Sequence, residues 1–129
     1  MPYVHIVIAL ALIEFFYFCV EVGRARTRYK VPAPATTGNE VFERYFRVQM
    51  NTLEQLIMFV PAILIFSLYM SPYVAAAIGA VYVIGRIVYL LTYVRNPNSR
   101  SAGYAISILP ILILLAGGLF GAIRAALHG

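Results

Sequence analysis

Several residue types that most proteins use freely are scarce in this chain of 129 residues or missing from it. It contains no tryptophan and no aspartate, one cysteine and two histidines. A single cysteine, Cys19, excludes an internal disulfide. The two histidines lie near opposite termini, so no metal site is expected. The lack of aspartate also excludes a Ser-His-Asp catalytic set.

Charge is scarce as well. Only 12% of the residues are charged while 62% are hydrophobic, and the mean hydropathy is +0.83. A small soluble domain leaves much of its surface in water, which these few charges could not cover. Residues 55–85 and 101–123 carry no charge at all. The composition therefore excludes a water-soluble or disordered chain and indicates a membrane protein.

Four apolar segments are long enough to cross a bilayer, which requires roughly 20 helical residues. They lie at about 2–22, 40–70, 73–94 and 101–126. Together they use nearly the whole chain, so we expect one all-α domain over residues 1–129, an integral-membrane four-helix bundle. The first segment has no basic residue before it and no small-residue cleavage site after it, so we expect it to be kept as a helix. Helix backbones are expected to approach closely at Gly117, Gly118 and Gly121.

The charges cluster in one part of the sequence. Nine of the fifteen charged residues lie between Arg24 and Glu54. The segment 24–39 is predicted to be a loop, with Asn39 as the N-cap of the second helix. The basic residues after helix 1 and before helix 4 place loops 1–2 and 3–4 in the cytoplasm and both termini on the opposite side. The net charge of +5 does not indicate nucleic acid, because no basic tract contains interleaved aromatic residues.

Helical spacing arranges the polar residues into two stripes. On helix 2, Arg47, Asn51 and Glu54 lie at positions i, i+4 and i+7, and Arg44 extends this stripe by one turn. The stripe on helix 3 consists of Tyr82, Arg86, Tyr89 and Tyr93. Since a charge that faces lipid is costly, both stripes are expected to face protein or a water-filled cavity.

Arginines outnumber acids in this zone. The five arginines are Arg26, Arg44, Arg47, Arg86 and Arg100, and the nearby acids are only Glu43 and Glu54. One alternative is a simple ion pair of Glu54 with Arg86 or Arg47, but three positive charges would still lack acidic partners. Unpaired arginines suit carboxylates, and Glu54 could accept an ammonium group. The implied ligand has several carboxylates and one amine.

The stretch 42–54 contains the pattern Glu-Arg, two residues, then Arg-x-Gln-x-Asn-x-x-Glu. It resembles the signature of the MAPEG family, membrane-associated proteins in eicosanoid and glutathione metabolism. The resemblance is closest to the microsomal glutathione transferase and leukotriene-forming synthase branch. It extends to the loop at 34–38, to the helix 3 stripe and to Arg100. It implies a homotrimer with glutathione as co-substrate, bound between subunits near the cytoplasmic side, and a lipophilic electrophile that enters from the bilayer.

The resemblance also implies roles for individual residues. The residues that resemble glutathione-binding positions are Arg26, Arg47, Gln49, Asn51, Glu54, Arg86, Tyr89 and Tyr93. Arg100 resembles the arginine that stabilises the thiolate, the reactive form of a thiol whose pKa is ordinarily about 8.5. Gln49 lies about 160° from Asn51 around helix 2, so the two could serve different subunit interfaces.

Two departures narrow the activity that the resemblance implies. Gln55 and Thr27 stand where the leukotriene-forming members carry a tyrosine and a second arginine. These changes favour a general glutathione transferase or peroxidase over a leukotriene-type synthase.

Two other functions fit part of the sequence. One is a noncatalytic lipid-binding scaffold, because the family includes such a protein, although the full set of arginine, asparagine and glutamate residues argues against it. The other is a small proton-coupled exporter using Glu14, an ionisable residue deep in the first apolar segment. An exporter would leave both arginine stripes unexplained. Cys19 is expected to be a small buried or lipid-facing residue rather than a reactive thiol.

Overall fold

The computed structural model describes residues 1–129 apart from the side chain of Arg100. The helices are α1 (Pro2–Tyr29), α2 (Glu40–Tyr69), α3 (Pro72–Arg95) and α4 (Arg100–His128), and a 3-10 turn at Pro97–Ser99 precedes α4. All four helices are long and apolar enough to span a membrane, by length and composition. The prediction of an all-α four-helix architecture is confirmed.

Helix α1 continues well beyond its predicted end. The loop expected from Arg24 begins only at Lys30, whose backbone is left-handed with φ 57°. The helix continues because Arg24 pairs with Glu21 one turn earlier at 3.0 Å, and no proline interrupts it before Pro32. The predicted N-cap of α2 is confirmed, since Asn39 Oδ1 accepts a hydrogen bond from the Phe42 N–H at 3.0 Å.

Small residues allow the helices to pack closely, as expected on α4. A Cβ added at Gly121 would lie 2.8 Å from the Cβ of Tyr69. The sequence did not single out Gly85 and Gly103, yet they bring α3 and α4 equally close. A Cβ at Gly103 would lie 2.5 Å from the Cα of Tyr89. This contact sets the first turn of α4, which begins at Arg100, beside the polar stripe of α3.

Candidate functional site

The polar stripe of α2 forms one wall of an open groove with a volume of about 380 Å³. Arg47, Asn51 and Glu54 all line this groove, together with Thr36 and Thr37 from the loop before α2. The groove therefore combines three residues that the helical spacing placed on one face with a loop that the sequence did not connect to them. Its polar groups can offer both donors and acceptors to a ligand.

The charged groups of the groove are open rather than paired with each other. Arg47 and Glu54 are exposed in the single chain, and Asn51 is half-buried. The ion pairs among the described side chains are Arg24–Glu21 at 3.0 Å and Arg44–Glu40 at 3.9 Å. The alternative in which Glu54 pairs with Arg86 or Arg47 is therefore wrong for this structure.

Arg86 lies directly behind the groove wall and is fully buried. Its Nη2 donates a hydrogen bond to Asn51 Oδ1 at 3.0 Å, and its Nη1 donates to Gln55 Oε1. Its guanidinium carbon also lies 4.5 Å from the centre of the Tyr89 ring. None of these three partners is an acid, so the guanidinium of Arg86 is held by two amide oxygens and an aromatic face. Because Asn51 also lines the groove, Arg86 fixes the orientation of a side chain that can contact a ligand.

The remaining tyrosines of the α3 stripe are also buried. The rings of Tyr89 and Tyr93 stack with centroids 5.3 Å apart and planes 7° from parallel. Tyr82 is fully buried and stacks on Phe59 at 4.1 Å. The expectation that this stripe faces protein is confirmed, although none of the three tyrosines lines the open groove.

The charge count predicted arginines without partners, but in the structure several of these arginines bind neutral acceptors. Arg26 Nη1 donates to the Ala35 carbonyl at 2.7 Å and more weakly to that of Val31 at 3.4 Å. Arg44 Nη1 donates to the Val94 carbonyl near the end of α3 at 3.0 Å. Carbonyls at helix ends and in loops lack intrahelical partners and accept these bonds readily. The expectation of unpartnered arginines therefore needs correction, because Arg26, Arg44 and Arg86 are held largely by neutral acceptors.

Other predicted ligand-binding residues lie away from the groove. Gln49 Nε2 donates to Cys19 Sγ at 3.2 Å, which ties α2 to α1 on the other side of the helix. Cys19 is accordingly half-buried within the bundle. The side chain of Arg100 lies outside the described residues, and only its position at the start of α4 is established.

The charged residues that line the groove can supply at most half of a binding site for an anion. Its lining includes two acids, Glu43 and Glu54, and one arginine, Arg47. Glu43 Oε2 accepts a hydrogen bond from the Gly38 N–H at 3.2 Å and so holds the loop against α2. A ligand with two carboxylates requires more positive charge than this wall offers on its own.

The role of Gln55 in the site was not predicted from the sequence. It is buried and supplies an acceptor for the guanidinium of Arg86, whereas the sequence marked it only as a departure from a related branch. The signal was available in the spacing, because Gln55 lies four residues after Asn51 and therefore one turn along the same face. The side-chain amides of Asn51 and Gln55 both accept hydrogen bonds from the guanidinium of Arg86.

Glu14 is buried, with 7% of its surface exposed, and neither carboxyl oxygen has a hydrogen-bond partner among the described residues. It lies beneath an apolar groove between α1 and α3, away from the α2 groove. Across the described side chains, no group of three or more His, Cys, Asp or Glu residues could hold a metal ion.

Several known proteins are similar to this chain over most of its length. The MAPEG family model matches residues 4–120. An uncharacterised protein from Synechocystis is 46% identical over 114 residues, covering 88% of this chain and 83% of that protein. Human microsomal glutathione S-transferase 2 is 39% identical over 101 residues, covering 77% and 69% of the two chains. Guinea pig (Cavia porcellus) leukotriene C4 synthase is 35% identical over 100 residues, covering 78% and 67%.

Proposed function

Because this chain belongs to the MAPEG family and is a multi-pass integral membrane protein, we propose that it is a glutathione S-transferase acting on lipophilic electrophiles. Its relatives include proteins named as a microsomal glutathione S-transferase and a leukotriene C4 synthase. Reduction of lipid hydroperoxides by glutathione is proposed as a second activity of the same site. Glutathione acts as a co-substrate, and no metal takes part in the proposal.

The observation that carries this proposal is the groove wall of Arg47, Asn51 and Glu54, supported from behind by Arg86. Glutathione has two carboxylates and one ammonium group. Arg47 is exposed and can bind a carboxylate through two parallel hydrogen bonds. Glu54 can accept the ammonium group, and the orientation of the Asn51 amide is fixed by Arg86. One carboxylate and the ammonium group therefore have chemically matched partners in this wall, and the second carboxylate requires positive charge from outside it.

A homotrimer completes the site in this proposal. Arg47 and Glu54 are exposed on a helix that is long and apolar enough to span the bilayer, where contact of charges with lipid is costly. A second copy that covers them would remove this cost. A ring of three identical subunits joins two different patches of each subunit, so one wall can face a different set of residues. Arg26 and Gln49 are proposed to supply that second wall, and Tyr89, Tyr93 and Arg100 are proposed to complete the site from α3 and α4.

The proposed chemistry depends on the glutathione thiolate. Arg100 stabilises the sulfur anion, and the thiol proton passes to water. To lower the thiol pKa by two units, Arg100 must supply roughly 2.7 kcal/mol of differential interaction. In conjugation, the sulfur forms a bond to an electrophilic carbon and the leaving group departs with its electron pair. In peroxide reduction, the sulfur takes one oxygen, and the released alkoxide is protonated to an alcohol. A second glutathione then converts the oxidised sulfur to a disulfide and water.

The proposed orientation puts loops 1–2 and 3–4 in the cytoplasm and both termini on the opposite side. This arrangement gives the groove, which includes Thr36 and Thr37, access to cytoplasmic glutathione. In a chain with Cys19 replaced by serine, a cysteine at Thr37 should react with a membrane-impermeant maleimide only from the cytoplasmic side. Labelling of Thr37→Cys from the other side would reverse the orientation.

The test of function is a glutathione titration of detergent-solubilised protein, following thiolate absorbance and turnover of an aryl halide and a lipid hydroperoxide. Arg100→Ala should keep glutathione binding but lose thiolate absorbance, and turnover at about pH 7 should fall about 25-fold if the thiol pKa returns from about 6.5 to about 8.5. Arg124→Ala, at the other end of α4, is the matched control and should behave as the unmodified protein. Full turnover by Arg100→Ala would contradict the role of Arg100, and no glutathione binding at millimolar concentration would favour a noncatalytic scaffold.

A further inference from the structure

A second groove follows the outer side of the bundle between α1 and α3, and we refer to it as the α1–α3 groove. Its apolar part has a volume of about 310 Å³ and is lined by side chains such as Leu10, Ile13, Val83 and Ile87. Most of these side chains are exposed in the single chain, so the groove is open along its length. A surface of this kind in a membrane helix suits a hydrocarbon chain.

The α1–α3 groove becomes polar toward one end. Tyr17, Leu90 and Leu91 join the apolar part to a pocket of about 210 Å³ that also contains Arg95 and Glu21. Glu21 and Tyr45 in turn join that pocket to another of about 390 Å³, which Arg24 and Arg28 line. The three pockets therefore form one continuous groove that is apolar at one end and basic at the other.

The basic end carries more positive than negative charge. Glu21 is paired with Arg24 at 3.0 Å. Arg28 and Arg95 have no hydrogen bond or ion pair with any described residue, although the guanidinium of Arg28 lies 5.5 Å from the centre of the Tyr29 ring. Two free guanidinium groups and the hydroxyl of Tyr45 therefore border the same end. Such a set suits an anion, especially a phosphate.

The dimensions of the groove agree with the geometry of one leaflet. The polar end lies where α1 and α3 both end, at Tyr29 and Arg95, which is one face of the bundle. Leu10 precedes Glu21 by eleven residues, or roughly 16 Å of helix. That is about half the hydrocarbon thickness of a bilayer, which is about 30 Å. A headgroup at the polar end would therefore place its acyl chain along the apolar part.

The α1–α3 groove is separate from the proposed glutathione site. Tyr45 lies about 160° from Arg47 around α2, and about 180° from Glu54. A molecule in the α1–α3 groove therefore contacts the opposite side of α2 from the wall formed by Arg47 and Glu54. Binding to the α1–α3 groove can be tested without reference to glutathione.

We propose that the α1–α3 groove binds one anionic phospholipid. Its phosphate contacts Arg28 and Arg95, one acyl chain lies along Leu10 and Ile87, and the second chain remains in the bilayer. Basic pockets between membrane helices bind anionic headgroups, and the apolar volume, near the lower end of the range for ligand sites, has room for one chain. The spare positive charge selects an anionic headgroup over a zwitterionic one.

Native mass spectrometry of the purified protein tests this proposal with phosphatidylglycerol and phosphatidylcholine of identical chains. We expect phosphatidylglycerol to bind more tightly. The double variant Arg28→Gln and Arg95→Gln should lose about 30-fold in affinity for it, bringing it close to phosphatidylcholine. Ile87→Trp, which fills the apolar part, should weaken the binding of both lipids. Arg124→Gln and Leu119→Trp, which alter exposed α4 residues outside the groove, are the matched controls and should change neither affinity.

Four results would overturn the proposal. Equal affinity for the two lipids would remove the role of the arginines, as would a preference that survives the double variant. Palmitate that competes fully with phosphatidylglycerol at equal concentration would make a fatty acid the ligand instead. Spontaneous cross-linking of Leu91→Cys between copies would show that a second subunit covers the groove. Glutathione binding should remain unchanged in all groove variants, so this test fails or succeeds independently of the proposed enzymatic function.

Discussion

Arg47 and Arg86 lie on two sides of the same groove wall and have opposite environments. Arg47 is exposed and makes no ion pair with a described residue, whereas Arg86 is fully buried and is held by Asn51 and Gln55. The exposed Arg47 is available to a ligand, while the buried Arg86 donates its hydrogen bonds to Asn51 and Gln55. The comparison indicates that binding and structural support are divided between two arginines that the sequence placed in one group.

The largest expected effect is on stability, at the buried arginine. Arg86→Ala leaves the acceptors of Asn51 and Gln55 without their donor and opens a cavity, so the free energy of unfolding should fall by about 3 kcal/mol. Thermal unfolding in detergent measures this loss. Arg95→Ala, an exposed arginine on the same helix, is the control and should change stability by no more than about 0.5 kcal/mol. Equal effects of the two substitutions would remove the distinction between buried and exposed arginines.

A second stability test removes an acceptor of Arg86 rather than Arg86 itself. Gln55→Leu removes the acceptor of a buried charged donor and should destabilise the protein by about 2 kcal/mol, measured by the same unfolding assay. Gln49→Leu, which removes only a contact to Cys19 from a half-buried amide, should have a smaller effect. If Gln49→Leu proved the more damaging change, Gln55 would not be the main support of Arg86.

The exposed side of the wall should affect binding and leave stability unchanged. Arg47→Gln and Glu54→Gln should each weaken glutathione binding about tenfold, because each removes one charged partner of the ligand. Isothermal titration calorimetry measures the affinity, and unfolding measurements should show no loss of stability beyond about 0.5 kcal/mol. A large loss of stability with unchanged affinity would mean that Arg47 is structural, like Arg86.

The smallest expected effect concerns Glu14, which does not line the α2 groove, although it interacts electrostatically with Arg86. Glu14→Gln retains the shape of the side chain and should leave glutathione affinity and turnover within about twofold of the original. Vesicle transport of a lipophilic cation that depends on Glu14 would instead support the exporter hypothesis, which remains a prediction. Reconstituted vesicles allow both measurements on one preparation.

Much of this architecture could be predicted from residue spacing. Four apolar segments that are long enough to cross a bilayer predicted four helices, and the i, i+4, i+7 pattern placed Arg47, Asn51 and Glu54 together. The end of α1 lies later than its charges suggest, because Arg24–Tyr29 contains no helix-breaking residue and the helix stops only at the left-handed backbone of Lys30. Charge counting also missed the carbonyl acceptors, which a sequence does not display. Only the structure shows that Arg26 donates a hydrogen bond to the loop carbonyl of Ala35 and that Arg86 donates one to Gln55.

Binding of glutathione by the α2 wall can be measured directly. Calorimetric titration of glutathione into the purified, assembled protein and its Arg47→Gln variant, with Arg124→Gln as control, tests this binding. We predict that the original and the control bind with equal affinity and that Arg47→Gln binds about tenfold more weakly. Equal binding by all three proteins would contradict the assignment of the groove as the glutathione site.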